Sequence, residues 1–209
     1  MLLRIFTSFC LLPLVLAGCS SVQNKPAEHI NAQVGANIEV PSAAVQPFQL
    51  ALNQISEGKL DEAEKNLLNL TTEFPQLSGP YANLGIIYAQ KGDLKKAEEM
   101  LKTAINKNPQ NADAWNELGV VYRADGQFKD SKAAYEQALK INPNLASAYF
   151  NLGILLDLYL GDIYGAADNY RKFQALTGGQ NTSVAGWLVD IDRRLKAEGR
   201  QVASDGAQQ

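Results

Sequence analysis

The phrase NLGI stands at residues 83–86 and again at 151–154, and ELGV lies between them at 117–120. Successive copies begin 34 residues apart. A chain that returns to the same small and bulky residues at a fixed step repeats one structural unit, and each unit stacks on the next to bury a face it cannot bury alone. Between the copies the apolar residues keep helical spacing: Trp115, Leu118 and Tyr122 share one helix face. Gly119 has no side chain and Ser131 a small one, so two antiparallel helices can approach closely at that level. Gly126 allows a turn between them, and Pro143 forbids continuation of the second helix.

In this frame the unit at 112–145 carries Trp115, Leu118, Gly119, Tyr122, Ser131, Tyr135, Ala138 and Pro143. The unit at 78–111 carries Tyr81, Leu84, Gly85, Tyr88, Ala97, Leu101, Ala104 and Pro109, with Gly92 at its turn. These residues resemble the signature of tetratricopeptide repeats, W-x2-L-G-x2-Y, then A-x3-F-x2-A, then P. The resemblance implies an all-α, right-handed superhelical solenoid. Its units are 44–77, 78–111, 112–145 and 146–179. The first has Pro47 where an aromatic is usual and Gln54 for the tyrosine; Pro is acceptable in a helix's first turn, so this unit is expected to form as an atypical cap. The fourth begins with Tyr149, Leu152 and Gly153, then runs one residue long, and its apolar stretch ILLDLYL implies an extended first helix or an altered turn. In 180–199, Val184, Leu188, Ile191 and Leu195 form one stripe, the pattern of a capping helix over a solenoid end. The polar tail 200–209 is expected to be disordered.

The N-terminus reads as an address. Residues 1–19, MLLRIFTSFCLLPLVLAGC, place Arg4 before a short apolar run broken by Thr7, Ser8 and Pro13. A membrane-spanning helix needs about 20 apolar residues, so the run fits a signal peptide over 1–18. Leu16-Ala17-Gly18-Cys19 resembles the lipobox of bacterial lipoproteins. That implies a Cys19 carrying diacylglycerol and palmitate as the first mature residue; an ordinary secretory cut near Ala17 or Gly18 is the alternative. In such lipoproteins a serine after the cysteine, here Ser20, implies transfer to the outer membrane, facing the periplasm. Residues 19–43 are rich in Pro, Asn, Gln and Ser and lack aromatics, which describes a flexible tether. As a coil of about 24 residues it would span roughly 25–30 Å.

Composition narrows the function. A net charge of −3 over 209 residues, without a Lys/Arg run, argues against nucleic acid as a partner. Only Cys10 and Cys19 are present, so neither a structural disulfide nor a cysteine metal site is expected within the repeats. The one histidine, His29, lies in the tether. No phosphate-binding glycine loop and no Ser/His/Asp set occurs, and acidic pairs such as Glu98–Glu99 stand among lysines on helices. No catalytic residue, metal, cofactor or small-molecule substrate is expected. The reading is a protein-interaction scaffold rather than an enzyme.

The resemblance further implies a concave groove lined by the first helix of each repeat. At its ninth places stand Leu52, Ile86, Val120 and Ile154, all apolar. Its fifth places include Phe48, Asn116 and Phe150, its sixth Asn83 and Asn151, and its twelfth Arg123. An apolar stripe flanked by amides suits an amphipathic helix or an extended peptide, and Asn83 and Asn151 can each donate to and accept from a bound backbone. The carboxylate clamp of chaperone-binding members is not matched, since Phe48, Asp113 and Glu117 stand where its cations would be. The stripe can equally be core, or be covered by the tether. The phrase YRKFQALTGGQN at 170–181 resembles the pilot lipoproteins of type IV pili, which implies an assembly factor; an adaptor for peptidoglycan enzymes or for energised outer-membrane transport stays open beside it.

Overall fold

The computed structural model describes residues 40–206, with side chains to 197. The signal peptide, Cys19, His29 and most of the expected tether lie outside the described residues. Nine α-helices follow one another, with no strand among the described residues. They are α1 (Ser42–Ser56), α2 (Leu60–Glu73), α3 (Ser78–Gln90), α4 (Leu94–Lys107), α5 (Ala112–Ala124), α6 (Phe128–Ile141), α7 (Ala146–Leu155), α8 (Ile163–Leu176) and α9 (Thr182–Gly206). The first eight pair into four antiparallel hairpins, and each hairpin packs on the next. Successive first helices also touch, α1 with α3, α3 with α5 and α5 with α7, so they line the inner side of the curve.

The first helix of each hairpin stops at a glycine in the left-handed region. Gly58, Gly92, Gly126 and Gly161 have φ of 74°, 82°, 78° and 69°. A β-carbon disfavours that conformation, which is why glycine marks helix ends of this kind. At Gly126 the next amide, Gln127 N, reaches back to the Tyr122 carbonyl at 2.8 Å. Side-chain caps start several helices: Asp93 accepts from Lys96 N, Asn111 from Ala114 N and Asp162 from Gly165 N.

Within a hairpin the helices meet where one lacks a side chain. A β-carbon on Gly119 would stand 2.5 Å from a Tyr135 ring carbon, on Gly153 2.6 Å from Tyr170, and on Gly85 2.5 Å from Leu101. Tyr135 and Leu101 are fully buried, and Tyr170 is 1% exposed. The first hairpin has Ala51 at this place, buried in one cluster with Leu67, and so seats a methyl group there. Ser131 Oγ donates to the Gly119 carbonyl at 2.7 Å, tying α6 to α5 at the same level.

Two places differ from the sequence expectation. α1 begins at Ser42, so Pro47 is its sixth residue rather than part of a first turn begun near Ala44. At that place proline has no N–H to offer the Ala43 carbonyl and its ring crowds it, a cost confined to the N-terminal end of α1. In the fourth hairpin the first helix is extended, but the extension Leu156–Leu160 winds as a π-helix; Gly161 keeps the left-handed φ of the other turns, while Asp162 N reaches the Leu156 carbonyl, six residues back, where Gln127 N reaches the fifth. A π turn holds one more residue than an α turn, so the insertion is absorbed locally. It swings Leu158 outward, 69% exposed, and sets the Tyr159 ring 4.8 Å from that of Phe128 on the preceding hairpin.

α9 closes the C-terminal end. Val184 and Ile191 are buried against the fourth hairpin, with Leu188 and Leu195 beside them. Two ion pairs clamp it, Arg194 to Asp157 at 3.0 Å and Arg171 to Asp192 at 2.8 Å. The helix continues to Gly206, beyond the end near 199 that the stripe marks, and no proline interrupts 200–206.

Gly119→Ala is expected to lower the unfolding free energy in urea by about 1–3 kcal/mol, because the new methyl overlaps the buried Tyr135 ring. An unchanged midpoint would mean that the hairpin has room the structure does not show.

Candidate partner-binding groove

The inner wall is built by the first helices, and its floor follows the 34-residue step. Leu52, Ile86, Val120 and Ile154 each lie half-buried, one per hairpin. Leu52, Val120 and Ile154 rest on the core clusters while keeping a face to solvent, as a ridge at the bottom of a groove does. On α9, Val189 is 60% exposed.

The fifth and sixth places are less open. Phe48 is 4% exposed and belongs to the first core cluster. Asn83 is 5% exposed, and its amide donates to the Gly79 carbonyl of its own helix at 2.9 Å. Asn116 is 2% exposed and sits between two partners: it accepts from the Asn151 amide at 3.1 Å and donates to Glu117 at 3.0 Å. These residues bond or pack inside the array rather than face outward. Phe150 is half-buried, its ring 5.1 Å from Phe173 and 6.0 Å from Trp187, so it joins α7 to α8 and α9. Arg123 donates through Nε to the Tyr135 hydroxyl at 3.4 Å, close to the limit of a hydrogen bond.

Glu117 is the titratable group of this wall. Burial pushes its carboxyl from an ordinary 4.5 up to about 7, Asp113 one turn earlier on α5 adds to the rise, and the Asn116 amide opposes it. Glu117 stands where a chaperone-type clamp would need a cation, so α5 presents acid to the groove instead. Because the folded pKa is raised, the native state holds a proton that the unfolded chain has released, and stability falls as pH rises from about 4.5 to about 7.

Among the described residues no group of three or more His, Cys, Asp or Glu side chains is placed to hold a metal ion. No helix there is long and apolar enough to cross a membrane.

Stacked helical hairpins with a preformed inner groove define a class of proteins that hold other polypeptides. A tetratricopeptide repeat model matches residues 82–146, and a second matches 134–172. Residues 82–172 are thus tetratricopeptide repeats. Among solved structures it shares its fold with a thermophilic tetratricopeptide repeat protein of Thermus thermophilus, at 23% identity over 72% of this chain and 82% of that one, TM-score 0.63. It is likewise similar to Pseudomonas aeruginosa pilF, at 22% identity over 79% and 76%, TM-score 0.67. A MamA double mutant matches at 19% identity over 76% and 88%, TM-score 0.61. No curated protein matches by sequence. Proteins of this family act in general as non-enzymatic scaffolds for protein–protein interaction.

Glu117→Gln is expected to raise stability by about 1–3 kcal/mol at pH 8 and to leave it unchanged at pH 4, where both states are protonated. Urea unfolding at the two pH values reads the difference directly. An equal effect at both would place the carboxyl in water.

Proposed function

We propose that the chain is a lipid-anchored periplasmic scaffold of the outer membrane that grips a partner protein in the groove of its repeats. The observation that carries the groove is the row of half-buried apolar side chains Leu52, Ile86, Val120 and Ile154, one per hairpin on neighbouring first helices. A segment with bulky apolar residues along one face meets such a row at every turn. Phe150, Asn151 and Arg123 border it on the third and fourth hairpins. Phe48, Asn83 and Asn116 support the wall from behind.

The anchor rests on Leu16-Ala17-Gly18-Cys19, with Cys19 acylated and residues 1–18 removed. Each buried methylene of an acyl chain contributes about 0.8 kcal/mol, so two or three chains hold the protein at a bilayer. Ser20 favours the outer membrane. Loss of Arg4 with the signal takes the net charge from −3 to −4.

A second reading narrows the partner to a type IV pilus or secretin complex, with the chain as its pilot lipoprotein. What favours it is the phrase at 170–181. Its residues build the seat of α9: Gly178 and Gly179 take φ of 71° and 72°, Gln174 donates to the Asn181 carbonyl at 2.7 Å, and Asn181 caps α9 by accepting from Val184 N at 3.0 Å. An adaptor for peptidoglycan enzymes or for energised transport would use the same groove.

Ile86→Asp and Val120→Asp are expected to abolish photo-crosslinking from a probe at Phe150 to the partner in cells while leaving helicity unchanged. Undiminished capture by the folded double variant would place the partner elsewhere. Palmitate labelling is expected in the parent and lost in Cys19→Ala. Label retained by that variant would rule out acylation at Cys19.

A further inference from the structure

The two ends of the array are not finished alike. α9 covers the last hairpin, but no described residue covers the outer face of the first. Leu50 of α1 is 50% exposed there, whereas Leu84, Leu118 and Leu152, at the same place in the later hairpins, are 0%, 3% and 5% exposed. Each of those leucines shares a buried cluster with the second helix of the preceding hairpin: Leu84 with Leu67 and Leu70, Leu118 with Leu101 and Ala104, Leu152 with Tyr135. Beside Leu50 lies an open depression of about 550 Å³, lined by Gln46, Pro47, Asn69, Leu70 and Glu73 among others. It has the apolar floor and polar rim that a packed helix would cover.

The chain itself arrives at this end. Val40 packs against the first core cluster, so the described chain enters the array through the first hairpin. Pro41 precedes Pro75 by 34 residues, as Pro75 precedes Pro109 and Pro109 precedes Pro143. In the described hairpins that proline follows a second helix. Counting back from Pro41, residues 26–39 match the 14-residue length of α2, α4 and α6. Ala27, Ile30, Val34 and Ile38 recur there at steps of three and four, which puts them on one side of a helix. A solenoid needs its terminal faces covered, and a segment already tied to Val40 reaches the face at little entropic cost.

We propose that residues 26–39 dock as a half-hairpin on the outer face of α1 and α2 and bury Leu50. The cap stands independently of lipidation. Its consequence for the membrane rests on the anchor proposed above: only about six residues then remain free after Cys19, spanning roughly 12–15 Å, so the array is held close to the bilayer instead of swinging on the full tether.

The test uses the full chain in detergent, with Leu50→Asp, Val34→Asp and the double variant, run in parallel on the Cys19→Ala background so that failure of the anchor is read separately. Each single substitution is expected to lower Tm by about 3–8 °C, and the double by no more than the larger single, because both break one contact. Amide exchange over 26–39 is expected to be slowed in the parent and fast in Leu50→Asp. Val34→Asp without effect, shifts that add, or fast exchange in the parent would overturn the cap. So would a concentration-dependent dimer abolished by Leu50→Asp, since a second copy would then be what covers the face.

Discussion

In three of the four hairpins, a bulky side chain of the second helix lies flat against a glycine of the first. Tyr135 on Gly119, Tyr170 on Gly153 and Leu101 on Gly85 bring the paired helices closer than any β-carbon would permit. That approach sets the width of each hairpin, and so how the next one stacks. The first helices then fall near enough to touch their neighbours, and a groove results from their alignment. The inner ridge at Leu52, Ile86, Val120 and Ile154 is a consequence of this spacing, since side chains 34 residues apart repeat their environment only if each hairpin repeats its geometry.

The fourth hairpin shows how tolerant that geometry is. One more residue could have shifted every later contact, yet Ala166 and Tyr170 are as buried as Ser131 and Tyr135. The π-helical turn at Leu156–Leu160 takes up the surplus before the glycine turn, so α8 returns to register. The cost is local: Leu158, Tyr159 and Leu160 face water where the other hairpins carry polar turns. Asp157 stays inward, 12% exposed, and pairs with Arg194 of α9. The insertion thus also shapes the seat of the closing helix.

Much of this was legible in the residues. The period, the turn glycines, the prolines after the second helices and the stripe of α9 each follow from local rules that a sequence carries openly. Less legible was which inner-wall residues face a partner. Asn83 and Asn151 look like ligands for a backbone when read by position, but the Asn83 amide donates to the Gly79 carbonyl of its own helix and the Asn151 amide to Asn116 on the neighbouring first helix. Glu117 attracted no notice beyond failing to match a clamp. Asp113, four residues earlier on the same helix, is a neighbour the sequence shows, but the larger cause of the raised pKa is desolvation, which no linear pattern reports.

The sequence by itself determined the all-α class and the glycines at which the first helices turn, because those depend on residues close together in the chain. Tertiary structure decided which side chains the groove exposes, how the extra residue of the fourth hairpin is absorbed, and where the first helix begins and the last one ends. Those outcomes depend on the distance between helices brought together by packing, and burial is a property of neighbours in space rather than in sequence.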